Sequence, residues 1–314
     1  MLEVRLFGVG HARYGDRPLP GFPNQQPYSL FCYLLLNRHH PHRREQLAAV
    51  FWSDYPSHIS RKYLRDSIWR LRTALQSVGA QADDYLLVAD ESVSFARGGS
   101  HWLDVEVFEA AAAQCRDLPG RRLPPELATQ LAEAVDLYTG DLLEGVYDDW
   151  CLYDREWLRL LYLNALSKLM AYHAARGAYE CSLAYGERIL AHDDTRETVH
   201  RQMMQLYWLL GERSGAVAQY RRCAQVLRET LGISPTTETR RLYRQMARGQ
   251  CDPEAWTEFS QPAVTADPPA DAAVSPLADW ALQRLRRLEH TIEEARAELQ
   301  HLERLLGAGA VDLK

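Results

Sequence analysis

Two short glycine turns, 34 residues apart, constrain this chain more than any other feature of its sequence. Arg176-Gly177-Ala178-Tyr179 and Leu210-Gly211-Glu212-Arg213 each interrupt a long apolar-periodic stretch. After each turn the small and apolar residues recur in step: Leu183 and Ala184 against Val217 and Ala218, then Ile189 against Cys223. A fixed period of this length marks stacked helix pairs, because a single pair cannot bury its apolar face alone.

The period is that of tetratricopeptide stacks, so residues 101–249 are expected to run helix after helix. Such a stack leaves a groove, open to a peptide or protein partner or to a small-molecule effector, or else serving only as scaffold. Aromatic residues are dense here, from Tyr138 and Trp157 to Tyr207, Trp208 and Tyr220. Most are expected in the core, and the sequence does not separate those from pocket-lining ones.

The first hundred residues have a different texture. Leu2-Glu3-Val4-Arg5-Leu6-Phe7 alternates with the period of a strand. Gly8, Gly10, Gly15 and Pro18 then break the chain into turns, with further short strands expected between them. A helix is predicted over Tyr28–Leu36, a second over Arg44–Phe51, and a third capped by Ser60 and running to Gln76. Tyr85–Val88 and Ser92–Phe95, joined by Ala89-Asp90-Glu91, read as a hairpin. Strands, three helices and a hairpin, in that order, make a winged helix with an N-terminal sheet.

On the third helix Leu64, Ile68, Leu71 and Leu75 fall in one stripe at 100° per residue. Lys62, Arg65, Asp66, Trp69 and Thr73 lie opposite, and Arg61 and Arg72 flank the stripe. With Arg70 this makes five cations and one carboxylate in twelve residues. A cationic helix face of that size suits the major groove of double-stranded DNA. Trp69 stands amid the polar face, where a large aromatic is costly without a partner. Ser60 at the helix start, Arg43 and Arg44 at the start of the second helix, and Arg97 after the hairpin complete the candidate contacts. Asp90 and Glu91 at the wing turn would repel phosphate.

Length and composition fit this plan. A chain of 314 residues has room for two domains and an extension, and a formal net charge of -6 confines any nucleic-acid binding to a local basic face. The six cysteines (Cys32, Cys115, Cys151, Cys181, Cys223 and Cys251) are scattered, with no C-x-x-C, as in a reduced compartment. Without a signal-peptide pattern or a run of roughly 20 apolar residues, a cytoplasmic location and no membrane partner are expected.

The residues resemble a known family. Leu6-Phe7-Gly8, Leu34-Leu35-Leu36, Arg44-Glu45-Gln46-Leu47, Phe51-Trp52 and the third-helix Leu64, Ile68 and Leu71-Arg72 are similar to the OmpR/PhoB-type winged helix of Streptomyces antibiotic regulatory proteins (SARP). Asp104 and Phe108, Leu137-Tyr138-Thr139-Gly140-Asp141-Leu142-Leu143, Arg155-Glu156-Trp157 and Leu231-Gly232-Ile233-Ser234-Pro235 resemble that family's bacterial transcriptional activator (BTAD) domain. The resemblance covers about residues 1–249. It implies a DNA-binding transcriptional activator that acts at repeated promoter sites and contacts RNA polymerase. No G-x-x-x-x-G-K-[ST] occurs and no receiver domain precedes the winged helix, so neither an ATP-driven switch nor phosphorelay control is expected on this chain.

Beyond 249 the sequence changes again. Residues 250–276 carry Pro253, Pro262, Pro268, Pro269 and Pro276 among Ala and Asp, the composition of a flexible linker. In residues 277–306, Leu285, Leu288, Ile292, Ala295, Leu299, Leu302 and Leu306 alternate at three and four, a coiled-coil seam. Homodimerisation through this helix is expected. Glu298 and Glu303 would oppose each other in a parallel pair, so an antiparallel pair or docking onto the helical domain stays open.

The fold expected is therefore mainly α: a winged helix with a small β-sheet and wing hairpin (1–100), a tetratricopeptide-like helical domain (101–249), a linker (250–276) and a coiled-coil helix (277–306). Several signals carry no chemistry. His39, His40 and His42 fit no zinc spacing, and the Asp83-Asp84, Asp148-Asp149 and Asp193-Asp194 pairs read as caps or solvated turns. No G-x-S-x-G or H-E-x-x-H is present, so no catalytic site, metal or cofactor is expected. The rival reading is a helical interaction scaffold whose winged helix does not bind DNA.

Overall fold

The structure is a computed structural model and describes residues 1–251 apart from 20, 23–25 and 97. The seam residues Leu285, Leu288, Ile292, Ala295, Leu299, Leu302 and Leu306 lie outside the described residues, as does Arg97.

The alternating N-terminus forms β1 (Leu2–Arg5), with Leu2 and Val4 buried and Glu3 and Arg5 half-exposed. The glycine turns return it as β2 (His11–Tyr14) and β3 (Arg17–Pro18). Three helices follow: α1 (Gln26–Leu36), α2 (Arg44–Phe51) and α3 (Ser57–Ser77). A two-residue strand β4 (His42–Arg43) precedes α2 and pairs antiparallel with the second strand of the hairpin, β5 (Leu86–Val88) and β6 (Ser92–Phe95). The wing is thus a three-stranded sheet in the order β4-β6-β5.

A strand the sequence did not announce closes the first sheet. Residues 101–103, expected to open the helical run, form β7 (His101–Leu103) and pair parallel with β1, Leu2 opposite His101. The sheet order is β3-β2-β1-β7.

The helical region then runs through α4 (Asp104–Gln114), α5 (Pro125–Asp136), α6 (Asp149–Ala174), α7 (Tyr179–His192), α8 (Glu197–Leu209), α9 (Arg213–Val226) and α10 (Thr237–Ala247). Gly177 and Gly211 stand between α6 and α7 and between α8 and α9 with φ +74° and +80°. The left-handed backbone there suits glycine, which explains why the two turns repeat.

The winged helix and the helical region share one core. Phe7 packs edge-on against Phe108 of α4, ring centres 5.6 Å apart, and 4.7 Å from Tyr138. The Asp104 carboxylate, 1% exposed, accepts the backbone N–H groups of Leu6, Phe7 and its own neighbour Val105 at 2.8–3.0 Å. The phrase Leu137–Leu143 leads into the same joint: Leu143 donates its N–H to the Leu6 carbonyl (2.8 Å), and Gly8 donates to that of Asp141 (2.9 Å). Arg155 holds that loop by donating to the carbonyls of Leu142, Leu143 and Val146 at 2.7–2.9 Å. Trp150 of α6 packs on Tyr33 and Phe51 of α1 and α2, 5.8 and 5.7 Å between ring centres.

Candidate nucleic-acid interface

The interface is built on α3. Leu64, Ile68, Leu71 and Leu75 are all buried, so the leucine stripe fixes which way the helix faces. Opposite it Lys62, Arg65, Asp66, Trp69, Arg70 and Thr73 are exposed. Trp69 leaves 66% of its surface uncovered in the middle of that face. Its backbone carbonyl accepts the Thr73 hydroxyl at 2.9 Å, which fixes the threonine against the helix.

The cations of α3 are not equivalent. Arg61 reaches Glu45 of α2 at 2.7 Å, and Arg72 reaches Asp83, beyond the end of α3, at 2.6 Å. Both pairs are solvent-exposed and worth under about 1 kcal/mol each, so a phosphate can compete for either arginine. Lys62, Arg65 and Arg70 make no ion pair with any described residue, and their charge is available outward.

Ser60 corrects an expectation. The helix begins at Ser57, with Pro56 as its cap, so Ser60 lies inside the first turn rather than at the start. It is only 4% exposed, and its hydroxyl donates to the Trp52 carbonyl (2.9 Å), with the Tyr55 carbonyl sharing the proton at 3.1 Å. Ser60 therefore pins the α2–α3 turn and holds the angle of α3 instead of capping the helix.

Arg43 is exposed on β4, opposite Ser92 of the wing. Arg44, the first residue of α2, is half-buried and donates its backbone N–H to the Glu91 carbonyl at 2.9 Å. Its side-chain Nε is buried without an acceptor among the described residues. A buried guanidinium donor with no partner is costly, which an approaching phosphate oxygen would relieve.

Sequence reasoning missed two residues beside this face. Tyr55 and Tyr63 stand edge-to-face at 5.2 Å and remain partly exposed at the α3 N-terminus. Tyr63 falls outside the leucine stripe, which is the signal that marks it. Of the histidine cluster, His42 is buried and places Nε2 3.0 Å from the Asn37 carbonyl, and burial holds its pKa below the usual value. No described helix is long and apolar enough to cross a membrane.

Comparison with known proteins places the chain among transcriptional regulators. Residues 103–247 match the bacterial transcriptional activator domain family. Over 250 residues the chain is 24% identical to the transcriptional regulatory protein MoaR1 of Mycobacterium tuberculosis, covering 79% of this chain and 77% of that one. It is 23% identical over 258 residues to the transcriptional regulatory protein EmbR of the same organism, covering 79% of this chain and 64% of EmbR. A solved structure of M. tuberculosis EmbR in complex with a low-affinity phosphopeptide superposes with a TM-score of 0.56 at 22% identity, over 81% of this chain and 67% of that one, a likeness of fold.

Proposed function

We propose that this chain, a transcriptional regulator that joins a winged helix to a bacterial transcriptional activator domain, reads double-stranded DNA with the outer face of α3. The observation that carries the reading is that face itself: Lys62, Arg65 and Arg70 without carboxylate partners among the described residues, beside an exposed Trp69 and over a buried leucine stripe. Lys62 and Arg65 reach guanine edges or phosphates, and Trp69 and Thr73 offer apolar contact to sugar or thymine methyl groups. Arg43 and Arg44 hold the phosphate backbone beside the wing. Arg61 and Arg72 exchange their carboxylates for phosphates on binding. Arg97 follows the wing on the same side of the sequence and serves the backbone as well.

The helical domain is then the surface for RNA polymerase, which makes the protein an activator, and its groove is the place for a peptide or small-molecule effector. Residues 285–306 pair two copies, which suits repeated promoter sites. The protein acts in the cytoplasm. Sedimentation tests the pairing: the full chain is expected to sediment as a dimer and a chain ending before residue 277 as a monomer.

The DNA reading is tested with a duplex that the native chain selects from a randomised pool. Lys62→Ala and Arg65→Ala should each weaken binding to it by about 1–3 kcal/mol where the contact is to a base edge. A phosphate contact instead weakens all sequences alike and flattens the salt dependence. Arg61→Ala and Arg72→Ala should cost less, because each already loses a carboxylate on binding. Full affinity in both Lys62 and Arg65 variants would remove the assigned face. The acidic wing turn, Asp90 and Glu91, favours the alternative of a scaffold without DNA binding, for which the native chain would enrich no duplex at all.

A further inference from the structure

Positive charge gathers at one end of the helical stack. Residues 213–251 hold eight arginines against two glutamates, although the whole chain carries a formal net charge of -6. Arg222 is answered by Glu187 of α7 at 2.7 Å. Arg213, Arg221 and Arg248 make no ion pair with any described residue. They line a groove of about 540 Å³ between α9 and the end of α10, together with Val217 and Met246. Met246 is buried and joins Met204, Ala216 and Leu242 in a small core beneath. Arg213 lies 5.0 Å over the Trp208 ring, and neither Arg221 nor Arg248 has a side-chain hydrogen bond or ion pair with a described residue. Three cations that no described carboxylate compensates, set around an apolar patch, select an extended, acidic, partly apolar segment.

The chain itself supplies one at that point. Arg248 and Gly249 line the groove, and Cys251 packs on the same small core. The sequence then continues Asp252-Pro253-Glu254-Ala255-Trp256-Thr257-Glu258-Phe259: three carboxylates, two aromatics and no cation. The next arginine is Arg284. Eight residues reach at most about 28 Å, ample for a groove that starts at the exit of the chain. A tethered segment also meets the groove at an effective concentration on the order of millimolar, so weak exposed ion pairs suffice where a free partner would need more.

We propose that residues 252–259 occupy this groove, with Asp252, Glu254 and Glu258 answering Arg213, Arg221 and Arg248 and with Trp256 and Phe259 over Met246 and Val217.

Hydrogen exchange of the full chain tests this. Backbone amides of residues 254–259 are expected to exchange roughly ten-fold or more slowly than in a synthetic peptide of the same sequence. Arg221→Glu with Arg248→Glu, both at exposed positions, should abolish the difference. Adding Glu254→Arg and Glu258→Arg to that pair should restore it. Exchange as fast as in the free peptide, or protection indifferent to the arginine reversal, overturns the proposal. Protection that disappears on dilution assigns the groove to the segment of a second copy and overturns it equally. A labelled octaglutamate peptide supplies the last arm. It should bind the Asp252→Asn, Glu254→Gln, Glu258→Gln chain and be excluded from the native one. Equal binding to both means that the native groove stands open for an acidic partner, and the proposal falls.

Discussion

The two ends of the helical region are built differently. Where α4, α5 and α6 meet the winged helix, Phe7, Phe108 and Tyr138 are buried against one another, and a carboxylate without exposure to water gathers three backbone N–H groups. Where α8, α9 and α10 end the stack, a small group of side chains is buried together and the surface is crowded with arginine. The first end spends its apolar residues on fusing two domains into one body. The second leaves a thin core and a charged groove. The contrast teaches that the winged helix is anchored in the core of the helical domain through β1, α1 and α2, whereas the far end keeps a small core of its own.

The sharpest way to break this comparison is Phe108→Ala. The cavity should cost about 3–5 kcal/mol. Because the core is shared, winged helix and helices should unfold together, with coincident far-ultraviolet circular dichroism and tryptophan fluorescence transitions in urea. Two separate transitions would mean that the domains stand alone.

Asp104→Asn comes next. The amide keeps one acceptor oxygen but turns an N–H₂ group toward the donors of Leu6 and Phe7, and it should cost about 2–3 kcal/mol in the same urea titration. Burial pushes the Asp104 carboxyl above its usual pKa, against the pull of the N–H groups of Phe7, Leu6 and Val105. An unchanged midpoint would show that these bonds are not needed at the joint.

Acid should act through His200, at the thin end. The ring is fully buried between Gln219, whose amide stands 2.8 Å from Nδ1, and the Asp194 carbonyl, 2.9 Å from Nε2. Nδ1 therefore accepts and Nε2 donates, the arrangement of a neutral ring, and burial holds the pKa below 6.5. A histidine depressed on folding is neutral in the folded chain and charged in the unfolded one between the two pKa values. Its stabilisation is complete above the unfolded value and is lost as pH falls below about 6.5. The melting temperature should drop between pH 7 and pH 5, with α8 and α9 exchanging amide hydrogens earlier than α4. Burial also depresses His42 in the winged helix and His173 and His192 in α6 and α7, so an equally early loss of protection in all these elements would show that His200 does not dominate.

The smallest effect on stability belongs to Trp69→Ala. An exposed side chain on α3 should move stability by no more than about 0.5 kcal/mol, while affinity for the selected duplex falls. A loss of stability without a loss of affinity would make Trp69 a packing residue.

The order of elements in the winged helix was legible because strands and helices of several residues carry their own period. Leu2 and Val4 alternate with Glu3 and Arg5, and the α3 stripe repeats at four, three and four. Two of the short strands, β4 and β7, were not legible. Two residues of β4 and three of β7 show no period, and β7 pairs with a strand almost a hundred residues earlier. Ser60 misled for a related reason: a serine near a helix start reads as a cap, and only the positions of the Trp52 and Tyr55 carbonyls reveal it as the pin of a turn. The phrase Leu137–Leu143 stood out as a string, but its work at the joint follows from the β1 end lying against it.

The sequence by itself determined the two faces of α3, since a helix turning 100° per residue places leucines on one side and cations on the other whatever surrounds it. It also determined the repeat of the helix pairs, because the left-handed turns at Gly177 and Gly211 are set by local backbone freedom. Only the tertiary structure decided which cations remain free, because Glu45 and Asp83, which engage Arg61 and Arg72, belong to other parts of the fold. It alone decided that winged helix and helices share a core, since burial depends on what the distant chain brings to the same place.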